Sequence, residues 1–334
     1  MFVTKKICID IDGILTKETE GFGKKYYPKR TPNTYNIKTL QDYKKRGFQI
    51  ILYSARYRED IDMTTKWLDK NQVPYDNVIL GKPQAEVYVD DRASNQLDRE
   101  VLLFSGGVDS LIAWHWFDKP KPIYVMLYHR YQKKEIECIK ALEKMIPSLN
   151  VEFVQGPVLG KFEIGDKAYI SQRNLQLALC AVHQGNLIYM AGVKGDKVED
   201  KTPEAFSVMS FAMNFIKKPS ELEIKIKSPF WEMTKTEIIK WFLENYPQDY
   251  VENVLRTSVS CYDANIDGSC GACPACFRKW ISLEAAGIES WNWFTKDIRE
   301  WKGIKGYITR IKKGEYDIQR SQETKAVLKK YNIW

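Results

Sequence analysis

The sequence predicts an α/β protein of two parallel-sheet units with a small cysteine-rich knuckle near its end. Three observations carry this. Short runs rich in Ile, Val and Tyr alternate with stretches of helical period, the mark of strand–helix–strand repetition. The alternation runs to Asp91 and restarts at Glu100. Four cysteines then crowd between Cys261 and Cys276. The length of 334 residues suits about two domains at roughly 150 residues each.

The elements follow in order. KICIDID reads as a strand, NIKTLQDYKKRG as a helix, FQIILYSA as a strand, DMTTKWLDKN as a helix and EVYVDD as a strand. After the polar stretch ASNQLDR, VLLF is a strand running into the Gly-rich SGGVDS and the helical LIAWHWF. Apolar residues make up 44% and charged residues 28%, which excludes disordered, collagen-like and coiled-coil classes. No apolar run nears the roughly 18 residues of a bilayer span, so no membrane partner is expected. MFVTKKICIDIDG carries charges where a signal peptide needs apolar residues, and seven cysteines make an odd count. The expectation is a soluble cytoplasmic protein.

The net charge of +8 is uneven. Residues 1–99 hold 18 Lys and Arg against 14 Asp and Glu; residues 100–289 hold 22 against 24; residues 290–334 hold 11 against 5. The basic excess is mainly that of the tail, where aromatics interleave with the cations. Such interleaving can stack on and neutralise nucleic acid, and more often marks a C-terminal piece packed on the body. Nucleic acid is therefore a secondary expectation for partners.

In the first unit, Asp10 and Asp12 end a strand two residues apart, which puts both carboxylates on one side at the sheet's ligand-binding end. Like charges so close need a cation or a shared proton. Ser54 ends the second apolar strand, Lys82 follows a glycine, and Asp90-Asp91 close a third run. A nucleophilic carboxylate, an acid/base carboxylate, a hydroxyl, a lysine and an acidic pair suit a magnesium-dependent aspartyl-phosphate mechanism. In this order the residues resemble the haloacid-dehalogenase-like (HAD) phosphohydrolases. The resemblance implies Asp10 as nucleophile, Asp12 as acid/base, Ser54 and Lys82 on the phosphoryl oxygens, and magnesium held by Asp10, Asp12, Asp90 and Asp91. The short span from Asp12 to Ser54 leaves no room for a large cap.

In the second unit, Ser105-Gly106-Gly107-Val108-Asp109-Ser110 presents successive backbone N–H groups at a helix start, a ready anion site. It lacks the spacing and lysine of a Walker A loop. The motif resembles the PP-loop ATP pyrophosphatases, implying ATP phosphates on Ser105, Gly106, Gly107, Asp109 and Ser110. Cys261, Cys270, Cys273 and Cys276 suit a closed, structural Cys₄ zinc site, with an iron–sulfur cluster as the rival. Cys8, Cys138 and Cys180 lie in apolar segments and are expected in the core. Of the histidines, His129 follows a strand and is the candidate for lining the site.

Together, the SGGVDS loop and SCYDA…CGACPACFRKW resemble the 7-cyano-7-deazaguanine synthases of queuosine biosynthesis. Gln172-Arg173-Asn174, Pro229 with Lys235 and Glu237, and Ser260-Cys261-Tyr262 add matches. The resemblance implies two Rossmann-like domains, HAD-like over 1–98 and PP-loop (HUP-like) over 99–289 with the zinc knuckle, and a basic aromatic extension over 290–334. It implies ATP, zinc and magnesium as cofactors, adenylation of 7-carboxy-7-deazaguanine, Arg173 as a stabiliser of negative charge, and a homodimer, since related synthases are often dimers. The chain departs from that family where the acceptor is read. Asp196, Asp200 and Lys201 stand in for a Tyr-Pro-Asp-Cys-Arg run, and Tyr128 to Gln132 replaces Tyr-Gly-Gln-x-His. Two alternatives stay open: adenylation of another carboxylate, a nucleic-acid base or a protein, or a low-turnover nucleotide-binding defence or interaction protein.

Overall fold

The computed structural model describes residues 5–18, 21, 23–85, 97–165, 169–196, 199–218 and 222–334. The chain divides into two compact units, Met1–Arg99 and Glu100–Trp334.

The first unit holds β1 (Lys6–Ile9), α1 (Thr34–Lys45), β2 (Gln49–Ser54), α2 (Ile61–Lys70) and β3 (Asn77–Leu80). The strands pair in parallel in the order β1-β2-β3, with Ile9 opposite Leu52 and Ser54 opposite Leu80. QIILYS alternates as a strand must, with Ile50, Leu52 and Ser54 on the buried side. Asn33 caps α1 by accepting from the Asn36 N–H, and Gly47, at φ +88°, follows its end. The core gathers Ile9, Ile11, Leu15, Leu40, Ile50, Leu52 and Leu68.

Three sequence expectations change here. β1 stops at Ile9, so Asp10 and Asp12 lie in the loop that follows rather than on the strand. β3 comes from NVIL, a run too short to stand out in sequence, and it places Gly81-Lys82 beside the end of β2. Cys8 is exposed rather than in the core, while Cys138 is buried. The strand expected over EVYVDD lies outside the described residues, and so do Asp90 and Asp91.

The second unit runs β4 (Glu100–Leu103), α3 (Val108–Trp116), β5 (Lys121–Met126), α4 (Gln132–Met145), β6 (Glu152–Gln155), α5 (Arg173–Ala181), β7 (Leu187–Tyr189), α6 (Pro203–Ile216) and β8 (Lys225–Lys227). The helices α7 (Lys235–Asn245), α8 (Gln248–Thr257), α9 (Pro274–Ala285), α10 (Ile304–Lys312) and α11 (Ile318–Lys330) complete it. Its sheet is parallel in the order β6-β5-β4-β7-β8. An open sheet edge invites unwanted pairing. At β8, Ser210 and Asn214 of α6 answer it: Ile226 N–H donates to Ser210 Oγ at 3.0 Å, and Asn214 bonds both backbone groups of Ile224 at 2.8 Å.

The tail is built into this unit. Phe294, Ile298, Ile304, Tyr307, Val327 and Leu328 are buried in its main core, and Trp293, Trp301, Tyr316 and Trp334 pack against it. Buried Glu284 of α9 anchors it, accepting from Ser290 N–H, Lys330 Nζ and Tyr331 Oη, each at 2.8 Å. The aromatics that could have stacked on bases are thus turned against protein. Among the described residues, no helix is long and apolar enough to cross a membrane.

His115 of α3 is buried among Trp114, Phe242 and Tyr246, with Nδ1 facing Leu111 O at 2.9 Å and Nε2 facing Tyr250 Oη at 2.8 Å. Burial pulls its pKa from 6.5 down to about 4. The unfolded chain therefore takes up this proton first, so the contribution to stability is whole above about 6.5 and is lost as pH falls toward 4. The urea midpoint should fall across that window in the wild type and fall less in His115→Gln. Equal slopes in the two would contradict this.

Candidate functional site

Open parallel sheets bind ligands beyond the strand ends, at the point where connections leave neighbouring strands in opposite directions. In the second unit β4 and β7 are such neighbours. The loop after β4 and the loop after β7 flank a cavity of about 310 Å³.

The β4–α3 loop is shaped for an anion. Gly106 takes φ +74°, a backbone state that favours glycine, and a Cβ there would press on Cys138 Sγ at 3.0 Å. Gly107 is the N-cap of α3 and leaves the helix without a side-chain cap, so its first N–H groups face the cavity end unclaimed by a side chain. Ser110 Oγ donates to Gly107 O at 3.1 Å and accepts from Ser105 N–H at 3.3 Å, holding the turn closed. Ser105, Gly107, Asp109 and Ser110 line the cavity; Gly106 sets the turn from behind.

Cations converge on the same space. Lys235, at the start of α7, pairs with Asp109 at 2.8 Å. The Thr234–Glu237 capping box fixes the helix start that carries it. Arg173, first residue of α5, donates to Tyr131 Oη at 3.0 Å. Burial alone would pull the Arg173 guanidinium down, but Tyr131 and Glu135 beside it leave it above its ordinary value. Burial pushes the Tyr131 hydroxyl up to about 12, so the pair is a charged guanidinium and a neutral phenol. His129 also lines the cavity, with Nε2 at 3.2 Å from the Glu135 carboxylate.

Asp196 and Lys201 both line the cavity and pair with each other at 3.4 Å. Burial pushes the Asp196 carboxyl up, yet Lys201, Lys235, Arg320 and Arg278 together bring it below its ordinary value, so it stands ionised. Asp200 behaves differently. Its carboxylate accepts from Asn174 N–H at 3.0 Å and Asn174 Nδ2 at 2.8 Å, which ties it to the first turn of α5 next to Arg173. Arg278, four residues into α9, reaches the cavity with its guanidinium on Tyr262 at 3.3 Å and Tyr307 at 3.4 Å. Neither Arg278 nor Glu135 is singled out by the sequence, and Tyr131 falls in the Tyr128 to Gln132 stretch that departs from the synthase family. For Arg278 the only signal was its place just after Cys276.

The four cysteines form one buried cluster, with all sulfurs within 4.8 Å of one another and Cys270 and Cys276 at 3.9 Å. A tetrahedral zinc with bonds near 2.3 Å needs sulfur–sulfur edges of about 3.8 Å, so the cluster is of the size that could bind zinc. Backbone N–H groups of Cys270 and Asp263 donate to Cys261 Sγ, and that of Cys276 donates to Cys273 Sγ, the usual support for thiolate ligands. Hydrogen bonds from the other three sulfurs hold the Cys261 thiol well below its ordinary value. The knuckle abuts the anion loop: Val259 N–H donates to Gly106 O at 3.2 Å, and Ser260, Cys261 and Tyr262 line the cavity.

In the first unit the strand ends bring Asp10, Ser54 and Lys82 together. Lys82 N–H donates to Ser54 O at 3.0 Å, and its Nζ lies 3.3 Å from Asp10 Oδ2. Ser54 itself is buried, its hydroxyl beneath the Arg56 N–H. Asp12 is held by two arginines absent from the sequence reading. Fully buried Arg56 donates to both its oxygens at 2.8 and 2.9 Å, and Arg30 Nε stands 3.3 Å from Oδ1. Tyr27 lies 4.3 Å from the Arg56 guanidinium and supports it. Asp10 keeps carboxylate oxygens of the hard type that magnesium prefers. Asp12 does not fit as a side-chain magnesium ligand, since a metal there would have to displace the guanidiniums.

Comparison with known proteins bears on the second unit. A protein from Chlorobaculum parvum named 7-cyano-7-deazaguanine synthase is 26% identical over 225 residues, 57% of this chain and 93% of that protein. A like-named protein from Chlorobaculum tepidum is 24% identical over 222 residues, 57% of this chain and 94% of its own length. One of the same name from Methanocaldococcus jannaschii is 38% identical over 69 residues, 20% of this chain and 29% of that protein. Residues 163–287 match the family model for queuosine biosynthesis protein QueC, so the C-terminal part carries a QueC-like domain.

Proposed function

We propose that the second unit uses ATP to adenylate 7-carboxy-7-deazaguanine and, with ammonia, converts it to 7-cyano-7-deazaguanine. The observation that carries this reading is the meeting, in one cavity, of the uncapped start of α3 with Arg173, Lys201, Lys235 and Arg278. These cations share the lining with Asp109, Glu135 and Asp196. Lys235 and Lys201 can turn from their carboxylates to a substrate pair that is anionic on both sides, a triphosphate and a carboxylate. The names of the similar proteins support the choice of acceptor.

The chemistry runs in two activations. A carboxylate oxygen of the acceptor bonds to the α-phosphorus of ATP and the bond to pyrophosphate breaks. Ammonia then attacks the carbonyl carbon, AMP leaves with its electron pair, and a proton is lost to give the amide. The amide oxygen takes a second AMP from ATP, again releasing pyrophosphate. Loss of that AMP and of the nitrogen's protons leaves the nitrile. Ser105, Gly107 and Ser110 hold phosphate oxygens, and Lys235 moves from Asp109 to the phosphates when they arrive. Arg173 faces the charge that builds at the α-phosphorus. Magnesium bound to the triphosphate would offset part of its charge. Zinc held by Cys261, Cys270, Cys273 and Cys276 would keep no position for substrate and would serve structure.

For the first unit we propose a capless phosphohydrolase. Asp10 attacks phosphorus while the bond to the leaving oxygen breaks, and that oxygen takes a proton from Asp12 or water. Water then cleaves the aspartyl phosphate, releasing phosphate and restoring Asp10. Lys82 steadies the phosphoryl oxygens, and Arg56 and Arg30 fix Asp12. Magnesium on Asp10 would offset charge on the phosphoryl group.

The test of the synthase reading is AMP release. AMP that appears only when ATP, 7-carboxy-7-deazaguanine and ammonia are all present supports it. AMP that appears only with a different acceptor moves the reaction to that acceptor, and none with any acceptor defeats the reading.

A further inference from the structure

Helix α11 reaches the acceptor side of the cavity from behind. Its residues 319, 320 and 323 share a face, and each bonds to the loop after β7 or to the start of α7. Arg320 Nη1 donates to Gly195 O at 2.6 Å and stands 3.7 Å from Asp196 Oδ1. Gln319 joins Lys194 Nζ, at 3.1 Å, to Glu237 Oε1, at 2.9 Å. Glu323 accepts from Thr234, the cap of the helix that carries Lys235, at 3.0 Å.

The loop is shaped to receive this helix. Gly195 takes φ +79°, and a Cβ there would lie 2.7 Å from Arg320 Cδ, so a side chain at Gly195 would collide with the arginine. The Arg320 side chain is 11% exposed, which sets it apart from the solvated cations of the tail. Asp196 N–H donates to Val193 O at 3.1 Å, so the turn carrying Asp196 is closed on one side by its own backbone and on the other by Arg320.

We infer that the last helix of the chain is a working part of the acceptor site, with Arg320 a positioning residue that acts through Asp196. The inference rests on the synthase reading above. Held in place and ionised, Asp196 can accept from the N–H groups of a purine-like acceptor, while the phosphates of ATP lie against the start of α3. Losing Arg320 frees the Gly195 carbonyl and leaves Asp196 to Lys201 alone among its close cations, which loosens the turn and weakens the acceptor's hold without touching the phosphate loop.

The test is steady-state kinetics on the full chain with ATP and 7-carboxy-7-deazaguanine. Arg320→Gln should raise the acceptor KM about tenfold and leave the ATP KM and kcat within about twofold. Arg320→Lys, which keeps the charge, should recover part of the loss. Both KM values rising together, or neither moving, would overturn the inference. If the wild type releases no AMP with this acceptor, the synthase reading fails by itself. Amide exchange at Val193–Asp196 then decides for α11: faster exchange in Arg320→Gln upholds the positioning role, and equal exchange overturns it.

Discussion

Stripping metal from the four-cysteine cluster, or replacing Cys276 with serine, should lower the melting temperature of the second unit by about 10–15 °C. Structural zinc sites contribute roughly 10–16 kcal/mol of apparent binding energy. Even a third of that, about 4 kcal/mol, shifts a unit of this size by such an amount. The cluster earns this sensitivity by position. Its cysteines are buried in the same core as Phe277, Trp280 and Phe294. Gly271, at φ +73°, lets the knuckle close on the backbone oxygen of Lys296, and Thr295 N–H donates to Ser269 O at 2.9 Å. Without metal, four thiols would occupy a space shaped for their shared ligand, and the strip from Val259 to Tyr262 that meets the anion loop would loosen. Elemental analysis should find one zinc per chain. A visible absorption band would mean an iron–sulfur cluster instead, and unchanged melting after chelation would contradict the structural role.

Asp10→Asn should lower magnesium-dependent hydrolysis of an aryl phosphate by roughly 10³-fold or more, since an amide cannot act as the nucleophile. The substitution is nearly isosteric. Asp10 is about a third exposed and its pairing with Lys82 is partly solvated, so stability should barely move. Unfolding therefore does not mimic the expected result. Asp12 is less clean as a probe, because removing it leaves the fully buried Arg56 without its carboxylate, a loss of the kind that costs about 3–5 kcal/mol. Equal hydrolysis by the wild type and Asp10→Asn would dismiss the phosphohydrolase proposal while leaving the synthase reading intact.

The parts of the site that sequence reveals are those built from near neighbours in the chain. Ser105 to Ser110 forms one turn and one helix start, and the last three cysteines lie within one loop and helix start, so spacing alone carries the chemistry. Arg173 was legible for the same reason, as the residue that opens α5. What stayed hidden was assembled over distance. Arg56 meets Asp12 across 44 positions, and Arg320 meets Gly195 across 125. An isolated arginine gives no periodic or spacing signal, and in the tail it was one cation among many. Residues 290–334 read as a basic aromatic piece packed on the body, and nothing in their sequence marks Arg320 as the one that reaches the loop carrying Asp196. Asp200 is also tied to a partner distant in sequence. Its oxygens complete the first turn of α5, a contact across 26 positions that its place in a charged loop does not reveal. Cys8 shows the limit of composition: its segment is apolar, yet alternation along β1 leaves this side chain exposed.

The most direct test of the central claim is to identify and count the products from the purified full chain given ATP, ammonia and 7-carboxy-7-deazaguanine. The account predicts a product with the mass of 7-cyano-7-deazaguanine, with two AMP and two pyrophosphate for each nitrile formed. Release of ADP and phosphate in place of AMP and pyrophosphate, or an acceptor recovered unchanged, would contradict it.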